Sequence, residues 1–152
     1  MNAHDAAKPG KTLMIVEDEI LVAMTLRDEL EEAGYHVLDL TERHQEAVEV
    51  ARECPPDLAL VNIRLGGRDD GIALAEHLTA LNIPVLFISG QVSRARTAQT
   101  AAIGSMPKPY SAADMVVAVD YLLAHLNGDE TLPRPPGLEV FETGGQGLAP
   151  AA

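Results

Sequence analysis

Five short aliphatic runs alternate with segments of helical period, and that alternation limits the fold more than any other feature of the chain. "TLMIV" (12–16), "HVLDL" (36–40), "LALVNI" (58–63), "PVLFIS" (84–89) and a weaker "AIGSM" (102–106) are strand-length and rich in branched residues. Between and after them, helical patterns cover Ile20 to Ala33, His44 to Glu53, Gly71 to Ala80, Ser93 to Ala101 and Ser111 to His125. In the first of these Leu21, Met24, Leu26 and Leu30 fall near one face, and Gly34 ends the helix. Regular strand–helix alternation predicts an α/β fold, a mostly parallel sheet with helices on both faces. The unbroken aliphatic character of "LALV" and "VLFI" suits central strands covered on both sides.

A chain of 152 residues supports one domain, predicted here over 12–126. Residues 1–11 read as a flexible arm, and the Gly- and Pro-dense stretch 127–152 reads as a flexible tail too short to form a further domain. With two Phe, three Tyr and no Trp, the core must be aliphatic, and stacking on nucleobases is disfavoured. A net charge of −12 repels phosphate backbones and anionic lipid, which argues against nucleic acid and membrane partners. The acidity is uneven: residues 77–113 contain no carboxylate but hold Arg94, Arg96 and Lys108. A single cysteine, Cys54, suits a reducing compartment and reads as a small hydrophobe near a helix end. The first eleven residues lack the apolar run of a signal peptide, so a cytoplasmic protein is expected.

In an open parallel sheet the ligand site lies at the carboxyl ends of the strands. The first strand ends on Glu17, Asp18 and Glu19, the third on Asn62, the fourth on Ser89 and Gly90, and the fifth leads into Lys108 and Pro109. Alone, the acidic run could cap the next helix, Ser89 could be a turn residue and Lys108 a solvated charge. Together they describe a hard-cation and phosphoryl site, since Mg²⁺ takes one or two protein carboxylates and keeps several waters. The prolines flanking Lys108 fix its backbone, and the Lys108–Pro109 bond is a candidate for the cis form. Competing motifs fail. "PGKT" precedes a strand instead of opening a helix, "LGGRDDG" has too few carboxylates for a calcium loop, and its Asp69 or Asp70 fits a helix cap. The five histidines show no metal-ligand spacing, and a flavin phosphate would be repelled by the acidic first loop.

"VEDE", "DLALVNIRL", "FISG" and "MPKPY" arrive in that order over Thr12 to Leu126, and with them the chain resembles the receiver domains of bacterial two-component response regulators. The resemblance implies a flavodoxin-like, doubly wound, five-stranded parallel sheet of order 2-1-3-4-5 with five helices. It also implies that Glu17 and Asp18 match an acidic Mg²⁺-binding pair and the carbonyl of Arg64 a further metal ligand. Ser89 and Lys108 match groups that contact a phosphoryl group, and a histidine kinase, phosphotransfer protein or other signalling protein is the partner.

Two positions depart from that family. Asn62 stands where the phosphoacceptor aspartate belongs, and an amide oxygen lacks the charge and nucleophilicity needed to form an acyl phosphate. Ser105 stands where a switch aromatic usually lies, so no ring can swing. The expected function is a phosphorelay receiver that acts as a binding module and not as an enzyme, with aspartyl phosphorylation disabled and Mg²⁺ binding weakened by Asn62. Arg94 and Arg96 mark the expected docking surface, for an acidic partner or a second copy. The alternative is a competent receiver whose acceptor Asp has been replaced by Asn at position 62 by design.

Overall fold

The computed structural model describes residues 11–65 and 70–142. Its strands are β1 (Thr12–Val16), β2 (His36–Val37), β3 (Leu58–Asn62), β4 (Val85–Ser89), β5 (Gly104–Pro107) and β6 (Glu139–Val140). The α-helices among the described residues are α1 (Ile20–Glu32), α2 (His44–Glu53), α3 (Gly71–Ala80), α4 (Val92–Thr97) and α5 (Ala112–Leu126). The sheet order is β2-β1-β3-β4-β5-β6; the first five strands are parallel and β6 is antiparallel to β5. The flavodoxin-like order expected from the sequence is therefore present, with one strand added at its edge.

Strand alternation divides the core into two layers. Leu13 and Ile15, Leu58 and Leu60, and Leu86 and Ile88 meet α1 and α5 on one face. Met14 and Val16, Ala59 and Val61, and Val85 and Phe87 meet α2, α3 and α4 on the other. The continuous aliphatic runs thus serve two cores at once, as a parallel sheet covered on both sides requires.

Three local expectations are corrected. On α1 the buried stripe is Ala23, Leu26 and Leu30, whereas Leu21 is 76% and Met24 39% exposed; spacing alone misplaced the stripe by part of a turn. α4 ends at Thr97, and a 3-10 turn at Gln99–Ala101 completes the stretch expected as one helix. Cys54 does end α2, but it is exposed, not packed as a hydrophobe.

The fourth correction concerns the tail. Residues 127–142 do not form a free end: β6 pairs Val140 with Gly104 and Glu139 with Ser105, and Leu138 and Phe141 are 5% and 4% exposed. Gly and Pro density hid a period-2 "LEVF" whose burial stabilises the return. Residues 1–10, 66–69 and 143–152, which include most of the expected arm, Asp69 and the rest of the tail, lie outside the described residues. Asp70 fulfils the expected cap, accepting from the backbone N–H of Ile72 at 2.9 Å. Gly34, at φ 107, closes α1 with its N–H on the carbonyl of Glu31, while Tyr35 N–H reaches Leu30. Among the described residues no helix is long and apolar enough to cross a membrane.

Candidate functional site

Glu17 continues the parity of Leu13 and Ile15, and Asn62 continues that of Leu58 and Leu60, so adjacent strands deliver both side chains to the same side. Both are buried, and the Asn62 amide nitrogen donates to Glu17 Oε2 at 3.0 Å. The backbone N–H of Glu19 donates to the same oxygen at 3.1 Å, which ties the first turn of the acidic loop to this carboxylate. An ionised carboxylate can only accept, so it is the amide N–H of Asn62 that must face it.

The other oxygen, Glu17 Oε1, is buried without a hydrogen-bond partner, and Lys108 Nζ lies 3.9 Å away. Burial pushes the Glu17 carboxyl above the usual carboxylate range. The Glu19 N–H opposes this, the adjacent Asp18 carboxyl adds to it, and Lys108 and Asn62 pull it back down. Asp18 is half-buried beside it. An orphaned, buried carboxylate oxygen next to a second carboxylate fits the donor set that a hard cation requires. It is a reduced set, because no group of three His, Cys, Asp or Glu side chains placed to hold a metal ion occurs among the described residues.

The remaining predicted residues assemble only in part. Lys108 arrives through its backbone, where its N–H bonds the Ser89 carbonyl at 2.9 Å, and the Lys108–Pro109 bond is cis as expected. Ser89 is buried, but its hydroxyl closes its own turn, accepting from Gln91 N–H at 2.8 Å and donating to the Gln91 carbonyl at 3.1 Å. Ser89 shares the parity of Val85 and Phe87, which is opposite to that of Asn62 in register. Arg64 is exposed just beyond β3 and forms a backbone bridge to Asp70. Ser105 is buried on β5 opposite Phe87, with Glu139 on its other flank. Arg94 and Arg96 are not free charges: Arg94 lies 3.4 Å from Asp70, and Arg96 3.0 Å from Glu139.

Sequence reasoning missed Tyr110 and Gly71. Tyr110 sits beside the acidic loop, and burial together with the charges of Glu17 and Glu19 raises its phenol to about 12. A phenol whose native pKa exceeds its unfolded one stabilises fully below the unfolded pKa and loses that contribution as pH rises through the native value. Denaturant midpoints should therefore fall between the ordinary value of 10 and about 12, and Tyr110→Phe should flatten that fall. Tyr35, raised by burial and by its 2.5 Å hydrogen bond to Asp120, sharpens the same alkaline limit. Beside Lys108 a groove of about 670 Å³ opens between α1 and the loop into α5, walled by Leu21, Val22 and Tyr110.

A doubly wound sheet that gathers a buried carboxylate, a lysine and a third-strand polar residue at its carboxyl edge defines a receiver-type signalling domain. The chain belongs to the response regulator receiver domain family, which it matches over residues 13–120. It is 35% identical over 122 residues to the transcriptional regulatory protein PdtaR of Mycobacterium tuberculosis, covering 76% of this chain and 58% of PdtaR. It is 33% identical over 106 residues to the phyllosphere-induced regulator PhyR of Methylorubrum extorquens, covering 68% of this chain and 38% of PhyR. The chain thus spans less than two thirds of either regulator. A response regulator structure from Chloroflexus aurantiacus superposes with a TM-score of 0.67 at 28% identity, covering 75% of this chain and 98% of that one.

Proposed function

We propose that this chain is a receiver module that works by protein–protein contact within two-component signalling, with aspartyl phosphorylation at the usual position disabled by Asn62. The observation that carries the reading is the Asn62–Glu17 hydrogen bond. At the position where a phosphoryl group would be accepted stands an amide whose N–H is committed to the acidic partner and whose oxygen carries no charge. Ser89 supports the same reading, since its hydroxyl is committed to Gln91. Glu17, Asp18 and the Arg64 carbonyl would hold Mg²⁺, which would supply charge neutralisation there, and Asn62 weakens that binding by removing a carboxylate. A histidine kinase, a phosphotransfer protein or another signalling protein is the class of partner.

Incubation with Mg²⁺ and a small phosphodonor, read by intact mass, tests the reading. The protein as it stands should gain no phosphoryl mass, and Asn62→Asp should gain one. A stable phosphoryl adduct on the unsubstituted protein would overturn the proposal. Failure of both to react would shift the defect to Ser105 or to the geometry around Ser89.

A further inference from the structure

Residues 128–142 form a strap that leaves α5 at Gly128, in the left-handed region at φ 83, and returns along the β5 edge. Near α5 it is held from outside. His125 pairs with Glu130, the Tyr121 hydroxyl donates to Glu130 at 3.2 Å, and Arg134 lies 5.2 Å over the Tyr121 ring. At β5 its side chains alternate. Leu138 and Val140 pack into the layer of α1 and α5, while Phe141 joins the opposite cluster, which contains Ala95, Ala101 and Ala102. Glu139 turns toward α4, where Arg96 Nε lies 3.0 Å from each carboxylate oxygen.

The edge is shaped for this guest. A Cβ at Gly104 would stand 2.6 Å from the Glu139 carbonyl, so only glycine lets a strand approach so closely. Phe141 N–H completes the pairing on the Ile103 carbonyl at 2.9 Å. One glycine, one arginine and an apolar slot on each side of the sheet therefore select an extended segment with a carboxylate between apolar residues. In a chain of net charge −12, the longest stretch free of carboxylates, 77–113, contains this edge and offers an acidic strand the least repulsion. The strap pairs over two residues and its ion pair is exposed, so it is held far less firmly than β3 or β4.

We propose that the β5 edge is a strand-addition site for an extended acidic–apolar segment of a partner protein, and that residues 138–141 are its resident occupant, which a partner must displace. This rests on the reading of the chain as a module that works by protein contact, and it does not depend on the chemistry at Asn62. A positive or negative phosphodonor result therefore leaves it standing, and its own failure leaves that result standing.

The test uses the full chain and a fluorescent synthetic peptide of residues 134–142. Phe141→Ala in the chain weakens the strap but not the peptide, so it should bind the peptide about tenfold more tightly than the unsubstituted protein. Adding Arg96→Glu should abolish that gain, and a peptide bearing Glu139→Lys should restore it. Hydrogen exchange should quicken at Val140 and Phe141 in the Phe141→Ala protein while Leu60 and Val61 keep their protection. Equal peptide binding with and without Phe141→Ala, or binding indifferent to Arg96→Glu, overturns the proposal. So does loss of protection in β3 together with the strap, which would make the strap an inseparable part of the core. Dimerisation of the Phe141→Ala protein without peptide would assign the edge to a second copy and likewise overturn the partner reading.

Discussion

Replacing Gly71 by alanine will lower the unfolding free energy by about 3 kcal/mol, despite a gain of about 1 kcal/mol that helix propensity alone would give. Gly71 opens α3, and its N–H bonds the Ile63 carbonyl at 2.9 Å. A Cβ there would stand 2.1 Å from the Asn62 carbonyl oxygen and 2.8 Å from Ile63 Cα. These are backbone atoms of a strand end buried between two layers, so no flexible side chain can yield. Relief requires α3 to withdraw or the end of β3 to shift, and either movement displaces Asn62 from Glu17. Gly90 supplies the control, because nothing lies within 4 Å of a Cβ placed on it. Gly90→Ala should leave the denaturation midpoint nearly unchanged. If Gly71→Ala matches it, the close packing of α3 on the strand end is not what holds the site.

Legibility in the sequence followed the range of the interactions. Strand identity was readable because "LALVN" and "VLFIS" carry their burial in five consecutive residues each. The ordering of site residues at strand ends was readable for the same reason, since a strand delivers its last side chain wherever its register dictates. The partners of those side chains were not. Arg96 meets Glu139 across 43 residues and Arg94 meets Asp70 across 24, so both looked like unused charge when only neighbours in sequence could be consulted. The strap was hidden for a related reason. Its strand covers two residues amid prolines and glycines, and its order derives from burial of Leu138 and Phe141 in the two core layers and from the close approach that Gly104 allows, contacts that lie far away in sequence. Ser89 was visible as a turn residue and as a phosphoryl contact, and only its two bonds to Gln91 distinguish between them.

Introducing a carboxylate by Asn62→Asp will lower stability by about 3 kcal/mol at neutral pH in the absence of divalent cations, for two like charges about 5 Å apart at an effective dielectric near 20. The substitution removes the donor that now stands 3.0 Å from Glu17 Oε2 and sets a second anion against it. Lys108 offsets only part of the repulsion, since its Nζ is 3.9 Å from Glu17 Oε1 and its side chain is 31% exposed. Glu17 is already raised above the usual carboxylate range by burial, and the new charge will raise it further. Native carboxyls raised above their unfolded values stabilise fully below the unfolded range and lose that contribution as pH rises through the native value. The deficit of Asn62→Asp should therefore shrink as pH falls toward the unfolded carboxylate range and grow as it returns to neutrality. Mg²⁺ should reverse it, because a cation at a hundredfold excess over its dissociation constant adds about 2.7 kcal/mol to the state that binds it. The unsubstituted protein, with its Glu17 already satisfied in part by an amide, should respond to Mg²⁺ much less. Urea denaturation of both proteins at acidic and neutral pH, with and without Mg²⁺, measures all of these differences. Equal stability of the two in metal-free buffer at neutral pH would mean that relief of charge at Glu17 is not what Asn62 contributes.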